Sequence, residues 1–139
     1  MKKLSLYIFL VLMWCNVGFA KDLTGKIIYC ENWRNTAGQY ADQPENWQYT
    51  SFEFLSANEV EVISVSRFKL KMKTYNYIVE QKRIEITLGQ RRYWIDRQYL
   101  TLNNEKYCSI VEDKNINIRE DMKKKLQILI DTQEKLNKI

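Results

Sequence analysis

Between Gly25 and Val111 the chain runs in short alternations of apolar and polar residues, with Cys30 near one end of the stretch and Cys108 near the other. A period of two is the mark of strands whose side chains point in turn to two faces. Several short strands at regular spacing indicate an antiparallel sandwich or barrel. The cysteines sharpen the choice. In a meander that closes on itself, first and last strands become neighbours. Cys30 and Cys108 could then reach each other within the roughly 4.4–6.8 Å Cα separation a disulfide needs. An open sheet would leave them on opposite edges. The chain therefore reads as mainly β: an antiparallel meander over residues 21–112 closing into a small barrel of seven or eight strands, with a C-terminal amphipathic helix within residues 113–139.

The amino terminus explains why a disulfide is expected at all. Met1-Lys2-Lys3 is cationic, Leu4 to Trp14 is almost continuously apolar, and Gly18-Phe19-Ala20 places small residues where a signal peptidase reads. This predicts a signal peptide over residues 1–20, cleaved after Ala20. The competing reading is an uncleaved anchor, but the run falls short of the roughly 20 apolar residues needed to cross a bilayer. Export, with a periplasmic and non-spanning mature protein, is the expectation. Cys15 leaves with the signal, so three cysteines become two, and an even count in an oxidising compartment argues for a Cys30–Cys108 bridge. Lys2 and Lys3 leave as well, lowering the formal charge from +5 to +3. Such mild basicity is far from a nucleic-acid footprint.

Taken in order, Gly25 to Cys30 forms a first strand. Glu31 to Trp47 follows without period and carries the only proline, Pro44, and three rings, Trp33, Tyr40 and Trp47. Loops of this length are commonly functional or disordered, and disordered segments are poor in aromatics. Two readings stay open: a loop folded back as a lid, or rings plugging one end of the core. Strands resume at Gln48–Leu55, with a turn at Ser56-Ala57-Asn58. From Val60 to Ile78 there is neither glycine nor proline, so corners must be found by phase. Val60 and Val62 share one parity, Ile63 and Val65 the other. Phe68, Leu70 and Met72 alternate with Arg67, Lys69, Lys71 and Lys73, and at Thr74 the phase changes again to Tyr75, Tyr77 and Val79. Breaks are expected near Ser64–Ser66 and near Thr74, as a bulge, bend or turn.

Ile84, Ile86 and Leu88 mark the next strand. Arg92–Asp96, Tyr99–Leu102 and Lys106–Val111 follow, the last two joined by an Asn103-Asn104 turn tolerant of positive φ. In the tail, Asn117 stands three residues before Glu120 as an N-cap. Ile118, Met122, Leu126, Leu129 and Leu136 form one stripe. Acid-before-base pairs at i,i+4 are expected at Glu120–Lys124, Asp121–Lys125, Asp131–Lys135 and Glu134–Lys138. The helix should pack its stripe on the outside of the sheet, with a partner helix as the alternative.

Chemistry is sparse. There is no histidine in the chain, which removes the commonest general base and the commonest metal ligand. No serine or cysteine has a histidine partner, no glycine-rich phosphate loop is present, and Asp96 beside Arg97 is an ordinary surface pairing. Neither an enzyme, a cofactor nor a metal is expected. The Arg67/Lys69/Lys71/Lys73 alternation reads as the solvated face of a half-buried strand. Its competing reading is a polyanion-binding strand, whose targets after export would be lipopolysaccharide, cell-wall polymers or anionic lipid. Rings at a barrel mouth, with Trp33, Tyr40, Trp47, Tyr93 and Trp94 as candidate contacts, could grip an apolar or carbohydrate ligand. The alternative is a small barrel filled solid by its own side chains.

The order of strand, long aromatic loop, meander and terminal helix over Gly25 to Ile139 resembles a shortened lipocalin-type barrel. The glycine-x-tryptophan signature of that family is absent, Gly25 being followed by Lys26-Ile27. Tyr29-Cys30 and the ending Leu102-Asn103-Asn104…Cys108 are similar to periplasmic inhibitors of C-type lysozymes. Their serine-glycine-x-x-tyrosine inhibitory loop is missing, so no inhibitory residue is carried across. Two functions follow as expectations: a non-enzymatic carrier of a small apolar or carbohydrate ligand, or an envelope protein-interaction module, an inhibitor or assembly accessory, using the same loop or the helix.

Overall fold

The computed structural model describes residues 22–32, 43–88, 90–113 and 115–137; the expected signal peptide lies outside them. The strands are β1 (Ile27–Glu31), β2 (Gln48–Phe54), β3 (Glu59–Ser66), β4 (Lys69–Val79), β5 (Arg83–Leu88), β6 (Arg91–Asp96), β7 (Thr101–Leu102) and β8 (Lys106–Ile110). Each pairs antiparallel with the next, and β8 returns to β1 to close an eight-stranded barrel. One α-helix, α1 (Ile118–Asn137), follows. Among the described residues no helix is long and apolar enough to cross a membrane.

Closure places Cys30 directly opposite Cys108, with 4.0 Å between their Cα atoms and a disulfide joining their sulfurs. The register accounts for this separation, shorter than the expected range. The Val111 N–H donates to the Ile27 carbonyl, 2.9 Å away. Odd-numbered β1 residues therefore carry the ladder bonds, and Cys30 falls on the non-hydrogen-bonded position, where antiparallel Cα atoms approach closest.

The barrel has two dry regions, one on each side of its wall. Inside, Ile28, Cys30, Phe52, Phe54, Val60, Tyr77, Ile84, Ile86, Ile95 and Leu102 fill one end. There the Phe54 and Tyr77 rings meet edge-on with centroids 4.8 Å apart, and the Tyr77 hydroxyl donates to the Ser56 carbonyl at 2.6 Å. Outside, α1 lies over β2, β3 and β4. It buries Ile118, Met122 and Leu129 against Ile63 and Val65, with Tyr29, Trp47, Tyr49, Phe68 and Leu70 packed around them.

The helix follows its sequence signals at the start and departs from them further along. Asn117 Oδ1 accepts the Glu120 N–H at 3.4 Å, as an N-cap should. Ile118, Met122 and Leu129 of the stripe are buried and Leu126 partly so, whereas Leu136 is exposed. Lys125 leaves its expected helical partner and reaches the barrel, its Nζ 4.8 Å and 4.9 Å from the Tyr29 and Tyr49 ring centroids and 4.0 Å from Glu31. Glu120 pairs with Lys123 at 3.4 Å, one position nearer than expected. Asp131 accepts from the Gln127 side chain at 2.8 Å.

Of the two breaks expected along β3 and β4, the one near Ser64–Ser66 is the hairpin that follows Ser66, and the one near Thr74 is corrected. The corner is a two-residue hairpin at Arg67-Phe68, both with positive φ (53° and 61°), closed by the Ser66–Lys69 pair. This is the backbone of a type I′ turn, built without the usual asparagine or glycine. Nothing breaks at Thr74. The β3–β4 register runs unbroken from Ser66–Lys69 to Glu59–Asn76, so Lys69, Lys71, Lys73, Tyr75 and Tyr77 all share one face. What changes at Thr74 is which face is dry. Beneath α1 the outer side of the wall is apolar and the inner side wet; beyond it the assignment reverses.

Candidate functional site

The end of the barrel opposite the filled core is hollow. A cavity of about 630 Å³ opens there, floored by Phe52, Val62, Tyr75 and Tyr93. Polar side chains from three strands wall it: Gln48 and Thr50 on β2, Ser64 and Ser66 on β3, and Lys69, Lys71 and Lys73 on β4. Arg67 from the hairpin and Lys106 from β8 complete the ring of cations. The volume lies within the usual range for small-molecule pockets, about 300–1,000 Å³.

The residues opposite the lysines explain why there is room. Lys71 faces Ser64 and Lys69 faces Ser66 across the β3–β4 ladder, so short side chains stand where a packed barrel would place bulky ones. The neighbouring strand withdraws as well. β5 pairs with β4 only from Asn76 to Val79, so among the described residues the Lys69–Tyr75 half of β4 is held by β3 alone. The lysine stripe is solvated, as its alternation predicts, yet it faces the interior of the cup rather than the exterior. The reason is α1, which claims the outer face for Leu70 and its neighbours.

The electrostatics are one-signed. Among the described residues the lining holds five cations and no carboxylate. Same-face strand neighbours stand about 6.6 Å apart, so the three β4 lysines repel one another and concentrate positive potential in the cup. Lys73 Nζ lies 5.5 Å from the Tyr75 ring centroid, an internal cation–π contact. Lys106 is half-buried; burial pushes its pKa down, and nearby Glu105 partly counters this. Lys106, Tyr93 and Gln48 also line a second hollow of about 360 Å³, walled by Asn32, Asn46, Leu102, Asn103 and Glu105.

Of the ring residues singled out in the sequence, Tyr93 lines both hollows. Trp47 packs into the cluster beneath α1 instead. Trp94 occupies the opposite parity of β6, paired with Glu85, and its backbone N–H donates to Asn103 Oδ1 at 2.9 Å. Trp33 and Tyr40 lie outside the described residues. The cup is shaped by Lys69, Lys71 and Lys73, which the sequence reads as a solvated strand face, together with Ser64, Ser66 and Lys106, which the sequence does not single out for a site. Their signal was the serine–lysine pairing, readable only once the hairpin is placed at Arg67-Phe68.

Among the described residues no cluster of three or more histidine, cysteine, aspartate or glutamate side chains could hold a metal ion. Compared with known proteins, the chain matches no family model, no curated protein and no solved structure.

Proposed function

We propose that this chain is an exported, non-catalytic binding barrel that carries a small molecule in its open end. The observation that supports this most is the unequal filling of the barrel. An eight-stranded interior is just wide enough to be filled by side chains, and here one end is filled while the other is walled by serine, threonine and lysine. Packing alone would favour apolar residues at those positions, since hollow space forfeits dispersion contacts. The floor of Phe52, Val62, Tyr75 and Tyr93 offers an apolar or ring-stacking surface, and the wall offers hydrogen bonds. That combination orients a ligand with two unlike ends.

A cavity-filling variant tests the reading. Ser64→Trp should occupy the cup from the strand next to Lys71. Saturable binding of fluorescent apolar and carbohydrate probes to the native chain, lost in Ser64→Trp at an unchanged unfolding midpoint, is the expected result. Equal binding by both proteins, or none by the native chain, would reject it. The absence of small-molecule binding, with co-purification of an envelope protein, would instead favour the interaction-module reading, for which exposed Ile128 on α1 is the supporting feature.

A further inference from the structure

We infer that the molecule held in the cup is an anionic amphiphile, its acidic head met by the β4 lysines and its apolar body laid on the aromatic floor. The inference rests on the carrier reading and adds the ligand class. It stands on the placement of charge in the cavity. Arg67, Lys69, Lys71 and Lys73 of the hairpin and β4, and Lys106 of β8, come from two separate parts of the chain and converge on one hollow that, among the described residues, no carboxylate lines. Outside the cup, Arg83 of the barrel pairs with Glu80 and Glu85, and Arg119 of α1 pairs with Glu61. In the cup, by contrast, Lys69, Lys71 and Lys73 take successive same-face positions of β4, a repulsive arrangement that an anion relieves.

Lys106 is the second support. It is half-buried at the junction of the two hollows, with one side in the cationic cup. A desolvated ammonium makes stronger charge-assisted bonds than a hydrated one. The floor argues against a bare inorganic anion, which would have no use for Phe52, Val62 and two tyrosine rings.

The test compares two fluorescent probes with the same aromatic body, anilinonaphthalene sulfonate and the neutral phenylnaphthylamine. The sulfonate should bind about tenfold tighter or better, the gain expected from bonds to charged groups. That preference should fall toward unity in Lys71→Ala and Lys106→Ala and persist in Lys124→Ala, which removes an exposed lysine from α1. Dodecanoate should displace the sulfonate probe far better than inorganic phosphate does. Equal binding of both probes would overturn the anionic assignment and leave the carrier reading standing. Failure of both probes to bind would overturn the two together. A preference untouched by the Lys71 and Lys106 variants, or equal displacement by phosphate and dodecanoate, would also reject the proposal.

Discussion

Arg119, on the first turn of α1, grips Glu61 of β3 with two donors, its Nε 2.8 Å from Oε1 and its Nη2 2.7 Å from Oε2. The pair is asymmetric: the Glu61 side chain is 10% exposed and that of Arg119 51%. A two-pronged contact of this kind fixes orientation as well as distance, so it sets the angle at which the helix meets the barrel. Breaking it from the two sides should have unequal effects. Arg119→Ala strands a mostly buried carboxylate, whereas Glu61→Gln leaves a guanidinium that water can reach. Chemical denaturation should therefore show Arg119→Ala as the more damaging change. The double variant should recover part of the loss; additive losses would show that the two groups act separately.

The Cys30–Cys108 bridge closes a loop spanning 78 positions. Constraining the unfolded chain over such a loop contributes about 4–5 kcal/mol in the chain-entropy treatment. Replacing both cysteines with serine should lower the unfolding free energy by that order, measured in urea beside the oxidised protein. A loss below about 1 kcal/mol would mean that the β1–β8 ladder closes the barrel unaided.

Tyr29 makes the helix contact sensitive to alkali. Its hydroxyl donates to Glu31 Oε1 at 2.7 Å, and its pKa is raised by burial first, then by that bond and the carboxylate's charge. Tyr49 beside it is raised too, again chiefly by burial. A folded pKa above the unfolded value favours the neutral phenol, so this stabilisation is complete below about pH 10, the unfolded tyrosine value, and is lost as the pH climbs beyond it. Unfolding midpoints compared at about pH 8 and about pH 11 should fall more for the native chain than for Tyr29→Phe. Parallel falls would remove Tyr29 as the cause.

The hairpin at Arg67-Phe68 carries strain that can be relieved. Phe68 is tied to the cluster beneath α1, but Arg67 adopts its φ of 53° with an exposed side chain. Left-handed backbone costs an ordinary residue about 1–2 kcal/mol, and asparagine tolerates it better. Arg67→Asn should stabilise the fold by roughly 0.5–1 kcal/mol in thermal or urea unfolding. The same change removes one cation from the cup, so tighter folding should accompany weaker binding of the sulfonate probe. A stability loss would mean that the Arg67 side chain contributes more than its backbone costs.

How much of this was open to sequence reading varies element by element. Ile84, Ile86 and Leu88 alternate beside turn residues, and Asn103-Asn104 turns with φ of 51° and 58° as its residue types indicate. The cap at Asn117 and the stripe from Ile118 to Leu129 are likewise local patterns with local causes. The corner after Ser66 could not be placed by residue type, because arginine and phenylalanine occupy a turn that usually calls for asparagine or glycine. The seventh strand shrinks to Thr101–Leu102 because Asp96 Oδ1 accepts the Gln98 and Tyr99 N–H groups, at 2.8 Å and 2.9 Å, and turns the chain there instead.

The amino-acid order alone determined that Cys30 and Cys108 end a run of strands, that those strands pair in succession, and that an amphipathic helix follows. It also determined that Lys69, Lys71 and Lys73 lie on the face opposite Leu70 and Met72, since alternate residues of a strand must point opposite ways. Only the tertiary structure decided which of those faces looks inward. A period of two separates two sets of side chains without saying which set is sheltered. The shelter here came from α1, a distant element that covers the outer wall at Ile63, Val65 and Leu70 and leaves the lysines to line the hollow within.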